Sequence, residues 1–267
     1  ETEFVDRIVG NLEAIIVREG PETIAAFIAE PITGASGVIV PPEGYYQKVQ
    51  AVLNRYGIMF WADEVITGFG RTGNDFGCTT MAIESPDMMT FAKQLSSAYM
   101  PISASAIRRE MYDAMIEQSA SAGAFGHGYT YSGHPVACAV ALKTLEIYQR
   151  DKIFEKAAVS GAYLQKRLAE FADHPLVGEV RGSGLIGALE LVANKETGEP
   201  FVGGAVGGYA QKMAQDNGLL IRTVAGSCLG FCPPLIITNE QIDEMIEKVA
   251  PALDATLDHC KKENLLR

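Results

Sequence analysis

A chain of 267 residues with 48% hydrophobic and 21% charged residues has ordinary globular composition, which excludes disordered, fibrous and disulfide-stapled miniature classes. Its 22 Lys+Arg against 33 Asp+Glu leave a net charge of -11, which repels phosphate backbones and anionic lipid surfaces and argues against nucleic-acid and membrane partners. Five scattered cysteines (Cys78, Cys138, Cys228, Cys232, Cys260) suit reduced thiols in a cytoplasmic protein. No charged-then-apolar leader opens the chain, the apolar runs are too short to span a bilayer, and a helix is expected from the first residues.

Apolar runs at 25–29, 58–62, 88–92 and 102–107 alternate with amphipathic stretches, the pattern of βα units on a mostly parallel sheet. Between the first two, Tyr45, Val49, Val52, Leu53 and Tyr56 recur at helical spacing after Pro41-Pro42, which predicts a crossover helix. A long helix is expected from Pro135, tolerated in a first turn, through Ala141 and Leu145 toward Tyr148. Beyond about residue 150 the texture changes to a helix over 153–171 and short strands at 184–191, 219–223 and 229–237. Thr238 and Gln241 are spaced for a capping box ahead of a last helix, in which Ile242, Met245, Ile246, Val249, Leu253 and Leu257 share one face and Pro251 predicts a kink. The expected organisation is α/β, with part of a large domain over 1–148 and a smaller α+β domain over 149–267.

Two polar groups stand where strands are predicted to end. Asp63 opens Asp63-Glu64-Val65 directly after the run 58–62, and Lys93 follows the run 88–92. Open α/β sheets bind ligands outside the carboxyl ends of their strands, so an acid and a lysine delivered there can converge on one small molecule. An acid in that place also serves as a helix cap, and a lysine there is often a solvated surface residue, so position alone leaves both readings open.

The neighbouring segments narrow the choice. Glu30-Pro31-Ile32-Thr33-Gly34-Ala35-Ser36-Gly37, the stretch from Trp61-Ala62-Asp63-Glu64-Val65 to Gly70-Arg71-Thr72-Gly73, Phe91-Ala92-Lys93, Gly128-Tyr129-Thr130-Tyr131-Ser132-Gly133-His134-Pro135, and Gly218-Leu219-Leu220-Ile221-Arg222 with Phe231-Cys232-Pro233-Pro234-Leu235 follow one another in this order. In order and spacing, including the thirty positions from Asp63 to Lys93, they resemble the class III pyridoxal-phosphate-dependent aminotransferases, which have fold type I.

The resemblance implies roles that the chemistry can justify. Lys93 would carry pyridoxal 5'-phosphate as a Schiff base and, once displaced, move a proton with its free amine. Asp63 would pair with the pyridine nitrogen and keep it protonated, and Val65 would pack on the ring face. Thr130 would donate to the cofactor phosphate across a subunit interface, which implies a homodimer with shared active sites. Arg222 would bind a substrate carboxylate, for which a planar guanidinium is suited, and Glu30 would offset it for substrates lacking one.

Other signals are set aside. Gly182-Ser183-Gly184-Leu185-Ile186-Gly187 fits a dinucleotide-binding pattern, yet Ala188-Leu189-Glu190-Leu191-Val192 continues it as a strand where a helix is required. The four histidines share no metal-ligand spacing and Cys228 with Cys232 lacks a second pair, so no metal is expected.

The expected function is transfer of an amino group from an omega-amino acid or amine to a 2-oxo acid such as pyruvate. The taurine, 4-aminobutyrate and ornithine types of the same class would share Lys93 and Asp63. A non-catalytic homologue would have no reason to keep Lys93, Asp63 and Thr130 together. The family's glycine-serine phosphate loop and ring-stacking aromatic would precede everything seen here, so a longer parent chain is expected.

Overall fold

In the computed structural model, which describes residues 1–267, the early apolar runs become strands of one four-stranded sheet. They are β1 (Ala26–Ala29), β2 (Met59–Asp63), β3 (Met88–Phe91) and β4 (Ala104–Ile107), side by side in that order. β1, β2 and β3 run parallel, with Ala29 opposite Ala62 and Asp63 opposite Thr90. β4 reverses, pairing Phe91 with Ala104 and Met88 with Ile107. The sheet is therefore parallel with one antiparallel edge, a common arrangement in α/β folds.

Helices account for the parallel connections. α1 (Thr2–Glu19) and α2 (Tyr45–Tyr56) place Val5, Val9, Ile16, Tyr46, Val49, Val52 and Leu53 in one core with Phe60 and Ala62 of β2. Phe60 meets Phe27 at 5.8 Å and the Tyr46 ring edge-on at 5.8 Å, a geometry that the aromatic quadrupole favours. α2 ends because Gly57 takes φ 67°, a left-handed conformation that leaves its amide free to close the last turn on Asn54 and Leu53. A short helix, α3 (Gly77–Thr80), follows β2, and α4 (Arg109–Ala122) and α5 (Pro135–Arg150) follow β4. α4 has no fully buried residue, although Met111 and Met115, one turn apart, are half-buried along one stripe.

The later elements are α6 (Ile153–Ala169), β5 (Val177–Ser183), β6 (Ile186–Asn194), β7 (Glu199–Pro200), α7 (Ala205–Asp216), β8 (Arg222–Val224), β9 (Cys228–Phe231) and α8 (Asn239–Lys262). Their sheet has the order β5-β6-β9-β8, with β7 paired to β6. All its pairings are antiparallel. Strands were expected at 219–223 and 229–237; β8 is displaced to Arg222–Val224, where it pairs with β9, and β9 is shorter because Pro233 and Pro234 lack the amides a ladder needs.

By compactness the chain forms two units, the first of Glu1–Pro31, Pro41–Phe69 and Phe76–Lys152, the second of Ile32–Val40, Gly70–Asp75 and Ile153–Arg267. No helix is long and apolar enough to cross a membrane.

The dinucleotide-like glycines lie in the β5–β6 hairpin. Gly182 and Gly187 face each other in register, and a Cβ on Gly184, at φ 57°, would strike the Thr72 backbone. Close backbone approach thus requires these glycines, and no helix opens after them. The capping box at α8 is formed, with the Thr238 Oγ1 accepting from the Gln241 amide at 3.3 Å and the Thr238 amide donating to Gln241 Oε1 at 3.1 Å. Thr238→Ala is expected to cost about 1 kcal/mol, read as a shift in the urea midpoint at constant slope. Pro251 lies within α8, where it has no amide to donate to Glu247.

Candidate functional site

The first three strands bring three of the sequence-predicted residues to one edge of the sheet. Glu30 follows Ala29, the partner of Ala62, and so stands level with Asp63. Asp63 ends β2 opposite Thr90, and Lys93 follows three residues later at the same end of β3. An acid, a second acid and an amine therefore leave three neighbouring parallel strands at their carboxyl ends, the position where ligands bind in open α/β sheets.

Asp63 is half-buried, and its Oδ1 accepts the Val65 amide at 3.0 Å. That bond orients the carboxylate through one of its two oxygens. Val65 is half-buried beside it. The Glu30 carbonyl accepts the Tyr46 hydroxyl at 2.6 Å, which ties the end of β1 to α2.

Lys93 is exposed and has φ 40°, left-handed backbone that a residue with a Cβ adopts at a cost of about 1–3 kcal/mol. The neighbourhood enforces it. The Leu95 amide donates to the Ala92 carbonyl at 2.9 Å, and the amides of Ser96 and Ala98 both donate to the Lys93 carbonyl at 3.3 Å. The Tyr148 hydroxyl of α5 donates to the Gln94 carbonyl at 2.9 Å. Phe91, two residues before Lys93, packs with Phe69 and Phe76 in a trio of rings whose centroids are 5.6 Å apart.

Two residues lie elsewhere. Thr130 is exposed within a turn in which Ser132 Oγ accepts the Tyr129 amide at 2.9 Å and the Ser132 amide donates to the Tyr129 carbonyl at 2.9 Å. Arg222 begins β8 in the second unit and is exposed. A groove of about 630 Å³ in that unit, lined by Leu220, Phe231, Ile236 and Met245 among others, contains none of the six predicted residues.

The aminotransferase class-III family profile matches residues 1–253. The chain belongs to the class-III aminotransferase family. It is 49% identical over 257 residues to gamma aminobutyrate transaminase 3, chloroplastic, of Solanum lycopersicum, with 96% of this chain and 49% of that protein covered. It is 46% identical over 257 residues to vanillin aminotransferase of Capsicum chinense, covering 96% and 56%. Among solved structures, the omega transaminase from Pseudomonas jessenii in complex with PMP superposes with a TM-score of 0.93 at 48% identity, over 96% of this chain and 56% of that one. The chain spans about half the length of the curated relatives it matches.

Within this class-III aminotransferase chain, two buried charges of the same motif escaped the sequence reading. Glu64 is 1% exposed and Arg71 4%. Arg71 Nη1 donates to the carbonyls of Leu185 at 2.9 Å and Pro233 at 2.6 Å, inside the second unit. Nothing in local sequence signals partners 114 and 162 positions away. Glu64 did carry a signal: it is in phase with buried Phe60 and Ala62, so strand alternation sends it to the core face and Asp63 to the other.

Proposed function

We propose that this chain is the part of a pyridoxal-phosphate-dependent transaminase that supplies Lys93 and Asp63, moving an amino group from an omega-amino acid or amine to a 2-oxo acid such as pyruvate. The observation that carries this reading is the delivery of Lys93 and Asp63 by adjacent parallel strands to one sheet edge, with Lys93 held in left-handed backbone. The donor set fits the cofactor, offering an amine for its aldehyde, a carboxylate for its ring nitrogen and the Thr130 hydroxyl for its phosphate. Bound there, pyridoxal phosphate supplies an electron sink for the electron pair left when the proton beside the substrate amine departs.

Lys93 Nζ would hold the cofactor covalently and, as a free amine, would take that proton. The Asp63 carboxylate keeps the ring nitrogen protonated, and its bond to the Val65 amide fixes the direction of that contact. Val65 would pack against the ring. Residues 1–148 belong to the large cofactor-binding domain and 149–267 to the small one.

Arg222 binds the substrate carboxylate, and Glu30 takes its charge when the amine lacks one. Arg222→Ala should raise KM for β-alanine in the amine half-reaction by about 10–100-fold, the worth of a charge-assisted pair. The same variant should leave a carboxylate-free amine within twofold; equal losses for both donors would remove Arg222 from the substrate site.

Thr130 would reach the cofactor phosphate in a neighbouring subunit's site, and the proposed active form is therefore a homodimer. Tyr129 and Tyr131 support this, since they are 81% and 80% exposed in a single chain and their rings suit burial against a second copy. The five cysteines, all free, favour a reducing compartment, and the cytoplasm is the proposed one.

A 4-aminobutyrate-specific enzyme is the second reading, favoured by the relatives of 46–49% identity named gamma-aminobutyrate transaminases. A donor panel of β-alanine, 4-aminobutyrate, taurine, ornithine and 1-phenylethylamine, each with pyruvate, separates the two. Absorbance of the intact protein with added cofactor tests what they share: a band near 400 nm that falls on adding an amine is expected, and its absence from folded protein would sink both.

A further inference from the structure

Two carboxylates stand side by side at the end of β2, and only Asp63 has been given work. Glu64 is buried on the opposite face, yet no cation pairs with it. It is met instead by a set of donors. Glu64 Oε2 accepts the Thr67 hydroxyl at 2.5 Å and the Gly77 amide at 2.9 Å, while Oε1 accepts the Cys78 amide at 2.7 Å. Burial and the Glu64 charge push the Cys78 thiol well above its ordinary range, so it remains S–H beside the carboxylate. The cradle is closely fitted, because a Cβ on Gly77 would come within 2.6 Å of Thr67 Cβ and 2.9 Å of Pro31 Cβ. The backbone is tied as well: the Glu64 amide donates to the Thr90 carbonyl on β3 at 3.0 Å, and the Glu64 carbonyl accepts the Gly68 amide at 3.0 Å.

Strand alternation gives this arrangement a consequence. A slip of one residue at the end of β2 would exchange the two acids, turning Glu64 to the ligand face and burying Asp63. Aspartate is one methylene shorter and would leave the amides of Gly77 and Cys78 and the Thr67 hydroxyl unsatisfied in the core, a costly outcome for buried donors.

We propose that Glu64 is a positioning residue, a buried carboxyl pin that sets the register of the 63–65 turn and so presents Asp63 to the cofactor ring. It touches neither substrate nor cofactor and carries no proton in the reaction. The proposal rests on the reading of Asp63 as the partner of the ring nitrogen.

The test uses the intact protein reconstituted with pyridoxal phosphate, or with pyridoxal phosphate methylated at the ring nitrogen. The methylated ring carries a permanent positive charge and needs no Asp63 to keep it. Glu64→Gln replaces one acceptor oxygen by an amide nitrogen that faces donors, and should lower kcat by about 10–100-fold, the cost of a misplaced contact, with KM within twofold. The methylated cofactor should restore most of that loss in both Glu64→Gln and Asp63→Asn. The double variant should be little worse than Asp63→Asn alone, because both changes act through one contact. Thr67→Val removes a single donor at nearly constant volume; it should show a smaller loss with the same rescue, and keeps the test open if Glu64→Gln fails to fold.

Unchanged kcat in both Glu64→Gln and Thr67→Val, a loss that the methylated cofactor does not relieve, or additive losses in the double variant would each overturn the pin. An Asp63→Asn protein of full activity would instead overturn the reading of Asp63, and the pin with it.

Discussion

Replacement of Lys93 by alanine is expected to remove the visible band of the intact protein with pyridoxal phosphate and to lower transamination by at least about 10⁴-fold, since covalent attachment and proton transfer are lost together. The fold should survive. The Lys93 side chain is exposed, and the backbone bonds that hold φ at 40°, from Leu95, Ser96 and Ala98, do not involve it. Far-ultraviolet circular dichroism and the unfolding midpoint should therefore match the parent within error. Retention of even one hundredth of the activity would mean that another group carries the proton. Lys93→Arg should do no better than alanine, because a guanidinium stays protonated and can neither bond to the aldehyde nor accept a proton.

Asp63→Asn is expected to lower turnover by about 10³-fold or more while cofactor still binds, a loss in the range seen when one preorganised electrostatic partner is removed. Asparagine is nearly isosteric, and its side-chain oxygen can accept the Val65 amide as Asp63 Oδ1 does at 3.0 Å, so the turn should persist. What would be lost is the negative charge proposed to keep the ring nitrogen protonated. The decrease should appear in kcat rather than KM, and the absorbance of bound cofactor should depend on pH in a range where the parent's is constant. A variant that keeps more than a tenth of the parental kcat would show that the carboxylate serves only the turn.

The strand ends that carry Asp63 and Lys93 were legible in the sequence. The runs at 58–62 and 88–92 became β2 and β3 almost residue for residue, and Asp63 and Lys93 stand at their ends. Such strands declare themselves because four or five consecutive apolar residues bounded by polar ones have few other uses in a sheet flanked by helices. The capping box at Thr238 was equally plain, since its partners are three residues apart and need nothing from the rest of the chain.

Signals failed where distant partners decide. The run at 102–107 read as one more strand, and only pairing with β3 made β4 antiparallel, because an isolated apolar run carries no direction. Arg71 looked like an ordinary polar residue of a motif, and its burial without an ionic partner was decided by the carbonyls of Leu185 and Pro233.

The sequence by itself determined the family, the strands that end in Asp63 and Lys93, and the local caps and turns, because each depends on residues within one element or on motif order along the chain. Only the tertiary structure decided that β4 reverses and that Glu64, in phase with the core face, is met there by the amides of Gly77 and Cys78. Those features arise from hydrogen bonds and packing between segments brought together by folding, and no window of neighbouring residues contains them.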